Sequence, residues 1–252
     1  MFRRFALIGS CCLLAAIVAV AVAAEDTALR DLRVRWEAAT KAIQDMTIEQ
    51  EMKSGQAGQD MTMQIKLQRK GVKFRSESQI QGTTTVTISD GTDYWMVTPA
   101  GPQKLPMAPQ QPDPTNWQNL PENAHIAGRE TVGDRACHIV EFEAPHGTTT
   151  RMWVDQESPT PVKVESKTSP GITTTILFSD FRKVYQDYEM PFKCEMSINT
   201  KTNSVRGVLD VLQATITTKS IKVNSGLDDK LFDAKAAGPA AVPTMPTAPK
   251  QN

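Results

Sequence analysis

The sequence predicts a mainly β protein: a strongly curved antiparallel sheet of about eleven strands, with one N-terminal helix and a proline-rich flap over the concave face. Three observations predict it. Apolar and polar residues alternate in run after run from Met46 onward, the period of a strand with one buried face. Only one stretch, Asp26–Asp45, spaces its apolar residues three and four apart, as a helix requires. The connectors are short and rich in glycine, which favours antiparallel neighbours. A sheet this wide curls rather than staying flat.

Taken in order, the chain begins with Met1–Ala24, which reads as a cleaved secretory leader. Arg3 and Arg4 precede a nearly unbroken apolar run, and Ala21-Val22-Ala23-Ala24 supplies the small residues of a cleavage site. The run is also near the length of a membrane span. Ile8-Gly9-Ser10-Cys11 weakly resembles a lipoprotein cleavage box, so a membrane-anchored lipoprotein remains the alternative to a free periplasmic protein. The full chain holds 28 Lys+Arg and 28 Asp+Glu. Without the two leader arginines the balance is slightly acidic, which leaves no electrostatic footprint for nucleic acid. The rest, residues 25–233, is long enough for one good-sized core in a single domain. Residues 234–252, rich in alanine and proline, are too poor in large apolar groups to fold and read as a disordered tail.

The helix presents Leu29, Leu32, Trp36, Ala39 and Ile43 on one face, and Asp26 is placed to cap its start. Strands follow. Met61, Met63, Ile65 and Leu67 alternate with Thr62, Gln64, Lys66 and Gln68. Lys70-Gly71, Gln81-Gly82 and Asp90-Gly91 turn the chain into further strands through Val72–Ile80, Thr83–Ser89 and Tyr94–Thr98. Pro99–Pro121 then breaks the pattern with seven prolines, which removes backbone donors and bars it from central sheet positions. Leu105, Met107, Trp117 and Leu120 are apolar enough for this segment to pack down as a flap; a linker between two half-domains is the alternative. A second run of strands starts at His125 and continues through Ala136–Phe142, Thr149–Val154, Val162–Ser166, Ile172–Phe181, Phe192–Asn199, Asn203–Leu212 and Ala214–Val223. Leu227, Leu231 and Phe232 tuck the end against the body.

Residues with obvious chemistry are few. His125, His138 and His146 stand at no metal-ligand spacing to one another or to a cysteine. No nucleophile elbow and no phosphate-cradling glycine loop occurs. Asp155 and Glu157 read as solvated turn carboxylates. The expectation is a protein that is not an enzyme and needs neither cofactor nor metal. Cys137 and Cys194 fall on predicted strands and read as small buried side chains, with a bridge as the alternative in an oxidising compartment. Methionine is the stronger signal: Met46, Met52, Met61, Met63, Met96, Met107, Met152, Met190 and Met196 punctuate sheet and flap. Thioether chains fill cores, and they also adapt to varied apolar partners.

Several runs carry a family resemblance. They are Gly128–Glu165 with its Arg-Met-Trp-Val-Asp and Pro-Val-Lys, Asp90-Gly91 leading to Tyr94-Trp-Met-Val, Phe178-Ser-Asp-Phe-Arg-Lys, Glu189-Met-Pro-Phe-Lys and the closing Ile221–Phe232. Their order resembles that of the outer-membrane lipoprotein-sorting proteins, the LolA/LolB-like carrier superfamily. The resemblance implies a half-open barrel in the periplasm that holds the acyl chains of lipoproteins or lipids and passes them towards the outer membrane. Inner- and outer-membrane transport proteins would be its partners, and the carrier would be a monomer. Arg69 and Arg75 are the candidates for an arginine that latches lid to sheet. One helix and one flap leave part of the sheet uncovered, and alternation offers Met63, Ile65, Leu67, Phe74, Ile88, Met152, Val164, Ile176 and Met196 as lining of an apolar groove. The same scaffold also suits an envelope sensor that binds an extracytoplasmic protein segment.

Overall fold

The computed structural model describes residues 27–56, 59–98, 100–106, 120–144, 147–168, 171–200 and 211–237. A helix, α1, occupies residues 27–41. Thirteen strands follow: β1 Asp45–Gln56, β2 Gln59–Lys70, β3 Lys73–Ile80, β4 Thr83–Ser89, β5 Tyr94–Thr98, β6 Gly101–Leu105, β7 His125–Val132, β8 Arg135–Ala144, β9 Thr148–Asp155, β10 Pro161–Thr168, β11 Ile172–Tyr185, β12 Tyr188–Thr200 and β13 Val211–Val223. A 3-10 turn, Asp229–Phe232, follows the last strand.

All thirteen strands form one antiparallel sheet in the order β6-β5-β4-β3-β2-β1-β13-β12-β11-β10-β9-β8-β7. Each half is a meander. The first strand meets the last at the centre, and β6 and β7 are left as edges, so the curved sheet does not close. The count exceeds the expected eleven. Gly101–Leu105, expected within the flap, pairs with β5 as an edge strand. There Pro102 loses no central ladder bond, because the outer side of an edge strand has no neighbour. His125–Val132 forms a separate strand with a bulge between Ile126 and Gly128. The helix ends before Asp45, which already belongs to β1.

Because partners across a ladder share a face and successive residues alternate, the register assigns each side chain to one of two faces. The inner face is the one that α1 covers. Leu29 and Leu32 pack with Ala124, Ile126, Val140 and Val154, with Leu120, Phe142 and Met152 alongside. Further along, Ala39 and Ile43 pack on Met46, Ile48, Tyr188, Met190, Ile221 and Val223. Arg35 clamps the helix to the β9–β10 turn by donating to the carbonyls of Gln156 (2.7 Å) and Glu157 (3.2 Å).

The outer face has its own cover. The segment after β13 turns back over β3–β5, where Ala234 packs on Val86, Ile88 and Val97, with Trp95 and Ala237 alongside. Lys70 and Lys73 both bind the Asp229 carboxylate, and Arg75 donates to the Leu231 carbonyl. Ala234 and Ala237, expected in the tail, thus pack against the sheet; residues 238–252 and the expected leader lie outside the described residues. Asp45 anchors the turn that redirects this segment. Its buried carboxylate accepts from the backbone of Ser225, Gly226 and Leu227 and from the Ser225 hydroxyl. Burial opposes its charge, but these donors outweigh burial and hold its pKa below the ordinary aspartate value.

Candidate functional site: an uncharged inner face

The register divides polarity between the faces. Every ladder-paired carboxylate points outward: Glu49, Glu51, Glu77, Glu130, Glu141, Glu165, Glu189 and Glu195 are all in register with outward residues. Cross-strand ion pairs hold this outer surface together, among them Lys219–Glu51 and Arg151–Glu141. Among the described residues, the inner face carries charge only at its margin, on Arg69 of β2, Arg129 of β7 and, on β11, Arg182 with its partner Asp180.

Two apolar rows cross the inner face. One runs Ile80, Met63, Met52, Ile216, Cys194, Phe178 over six strands from β3 to β11. The next runs Met61, Ser54, Ala214, Met196, Ile176, Val164, Met152, Val140 from β2 to β8. The first crosses the β1–β13 seam without interruption, at Met52 and Ile216; the second crosses it at Ser54 and Ala214, where Ser54 is its one polar member. Eight of the nine residues that sequence alternation offered as groove lining lie on this face: Met63, Ile65, Leu67, Phe74, Met152, Val164, Ile176 and Met196. All eight are half-buried. Ile88 does not join them. It pairs with outward Arg75 and Trp95 and is 0% exposed beneath Ala234.

Sequence alternation does not offer Ile80, Met52, Ile216, Cys194 or Phe178 as lining, and these complete the first row around Met63. Their alternation was visible, but the register that aligns them with Met63 was not. Of the expected flap residues, Leu105 belongs to β6 in register with Tyr94 on the inner face, and Leu120 packs at the N-terminal end of α1. Met107 and Trp117 lie outside the described residues. Arg75 faces outward, paired with Glu77 and the C-terminal segment, whereas Arg69 is on the inner face beside Phe74.

Hydroxyl-bearing strands flank the apolar rows. On one side, β3 and β4 present Ser76, Ser78, Thr85, Thr87 and Ser89 inward. On the other, Thr150 meets Ser166 at 3.1 Å and Thr148 meets Thr168 at 3.3 Å. Beneath the helix His138 is buried, and its Nδ1 finds no partner among the described residues; the same holds for Trp36 Nε1 and Arg33 Nε. Burial, with the nearby Arg129 and Arg35 guanidinium groups, lowers the His138 pKa. Burial also pushes the Cys194 thiol up to about 11. Cys194 faces inward and Cys137 outward, packed with Trp153 and Val162, so both are free thiols.

Two clefts of about 320 and 290 Å³ indent the sheet. The first lies at the far end of β1, β2 and β13, between Lys53, Met61 and Thr215; the second is on the outer surface, among Glu49, Lys66, Glu77 and Lys219. Both are at the low end of ligand-pocket size; Met61, Ser54 and Ala214 of the second row line the first, and the second lies off both rows. Among the described residues, the inner face beyond α1 is a trough whose apolar residues are mostly half-buried. Among the described residues no cluster of His, Cys, Asp and Glu is arranged to hold a metal ion.

No protein-family model matches the chain, and no curated protein matches its sequence. Solved structures do match. An outer membrane lipoprotein-sorting protein domain from Vibrio parahaemolyticus superposes with a TM-score of 0.60 at 15% identity, covering 81% of this chain and 95% of its own. A DUF1329 family protein from Desulfovibrio piger gives 0.61 at 18% identity, with 82% and 96% covered. A LolA superfamily protein from Nitrosomonas europaea gives 0.57 at 14% identity, with 81% and 96% covered. The chain therefore has the LolA-like fold, a half-open antiparallel sheet with its helix on the inner side.

Proposed function

We propose that this protein is a periplasmic carrier of acylated guests, lipoproteins or lipids, whose acyl chains lie along the inner apolar rows on the way to the outer membrane. One observation carries the reading: among the described residues a broad apolar surface, charged only at its margin, stays half-buried although the chain has a helix and a C-terminal segment with which to cover it. An acyl chain of ordinary length brings about 10 kcal/mol of apolar transfer energy, from roughly 0.8 kcal/mol per buried methylene. The methionines on the rows suit guests of variable shape. No catalytic step enters this reading, and transport proteins of the two membranes would be donor and acceptor.

The test is to purify the protein from the envelope of expressing cells without detergent and to analyse an organic extract by mass spectrometry. Acyl species near one per protein are expected. Repeated extracts without them would overturn the proposal. A stoichiometric protein partner recovered without lipid would instead favour a sensor or interaction module on the same scaffold.

A further inference from the structure

The hydroxyl bank on β3 and β4 is not explained by strand formation. Threonine is favoured in strands, but serine is not among the residues enriched there. Ser76 and Ser78 nevertheless take inward positions beside Leu67 and Ile65, where valine or isoleucine would extend the apolar rows; Ser89, beside Phe74, instead accepts from the Gly91 amide at 3.2 Å. Ser78 lies directly between Ile65 and Thr85, and Ser76 between Leu67 and Thr87. Ser78 and Thr87 are half-buried and Thr85 is exposed, so all three can be reached from the trough. The opposite bank differs, because Thr148, Thr150, Ser166 and Thr168 already bond one another across their strands.

We propose that Ser78, Thr85 and Thr87 form the polar subsite of the trough and take the uncharged, hydroxyl- and ester-bearing end of an acylated guest, as in a glyceryl ester. The proposal rests on the carrier reading. Each hydroxyl offers one donor and two acceptors, which suits a polyol that both gives and takes hydrogen bonds. No ladder-paired lysine or arginine stands on the inner face of β3, β4 or β5. An anionic headgroup placed there would lose its hydration without gaining a counter-charge. The nearest inward cation by register, Arg69, is a full row beyond Leu67, beside Phe74. The ester end of the guest is thus seated within reach of Ile65 and Leu67, where its chain begins.

The test compares 1-monopalmitoylglycerol with palmitate, two probes with one chain and different heads, binding to the full chain. The glyceryl ester is expected to bind at least tenfold tighter. In the triple variant Ser78→Ala, Thr85→Val, Thr87→Val that preference should fall to within about threefold, through loss of affinity for the glyceryl ester. Should the triple variant lose its cooperative melt, Thr87→Val alone carries the test, with a loss of about threefold for the glyceryl ester only. Equal binding of the two probes by the parent protein would overturn the subsite and leave the carrier reading standing. So would an unchanged preference in a folded variant. Binding of neither probe would overturn both.

Discussion

His138 and Asp45 show how single buried polar groups set the pH response of the molecule. His138 sits beneath α1 with an unpartnered Nδ1, and burial together with Arg129 and Arg35 depresses its pKa. The folded state then binds fewer protons than the unfolded chain once pH falls below the ordinary histidine value of about 6.5, so stability falls with pH in that window. His138→Leu should flatten the dependence of the urea midpoint between pH 7 and pH 5, whereas the parent midpoint should drop. Asp45 acts lower on the scale. Its pKa is also depressed, so its contribution is complete above the ordinary aspartate value of about 3.9 and is lost as pH falls through the folded value. Asp45→Asn weakens three backbone contacts to a charged acceptor and should cost about 1–3 kcal/mol at pH 7. The difference from the parent should shrink below pH 4, as followed by urea titration. A constant difference down to pH 3 would remove the carboxylate from this role.

Among the elements, the segment after β13 has the largest effect for its length. It brings Phe232, almost wholly buried, and Ala234 onto the outer face of β3–β5, and it seals Val86, Ile88 and Val97 there. Phe232→Ala should cost about 3–5 kcal/mol in a denaturant melt, the ordinary range for a buried phenylalanine. A cost below about 1 kcal/mol would mean the segment merely lies on the surface. This cover also explains why Ile88 was misassigned by sequence reasoning. In β4 the alternation of Val86 and Ile88 with Thr85 and Thr87 is plain, but it does not say whether Ile88 shares the face of Ile65 and Leu67. Alternation fixes which residues share a face within one strand, not which face meets the core. The β3–β4 turn and the late C-terminal cover decide that, and neither is local to β4. The edge strand β6 escaped notice for a related reason: Pro102 argues against a strand unless the position is known to be an edge, and edges are a property of the whole sheet. The helix, the meander of β2–β5 and the apolar set of β2 were legible because each depends only on near neighbours.

At the scale of the whole molecule, the joining of β1 to β13 turns two meanders into one surface. Met52 and Ile216 meet across that seam, although most of the chain separates them, and so carry the apolar row from β3 to β11. No local pattern announces such a pairing. Its consequence can be tested, because a row kept for a guest and a row kept for packing answer a buried charge differently. Met63 lies in that row, half-buried, between Ile80 and Met52. In a sealed core, Met63→Glu would bury an unpaired carboxylate and cost several kcal/mol. On an open trough the new carboxylate can keep much of its hydration, so the cost to stability should stay below about 1.5 kcal/mol, within the range of ordinary point variants. The charge would then act on the guest, and palmitate binding should weaken at least tenfold, while Met63→Leu, which keeps an apolar side chain of similar volume, should leave it nearly unchanged. Leu32→Glu is the internal reference: Leu32 is on the buried face of α1, against the sheet, so that variant should lose several kcal/mol of stability whatever the trough binds. If Met63→Glu destabilises the protein as much as Leu32→Glu does, the inner rows are core and the trough has no vacancy for a guest.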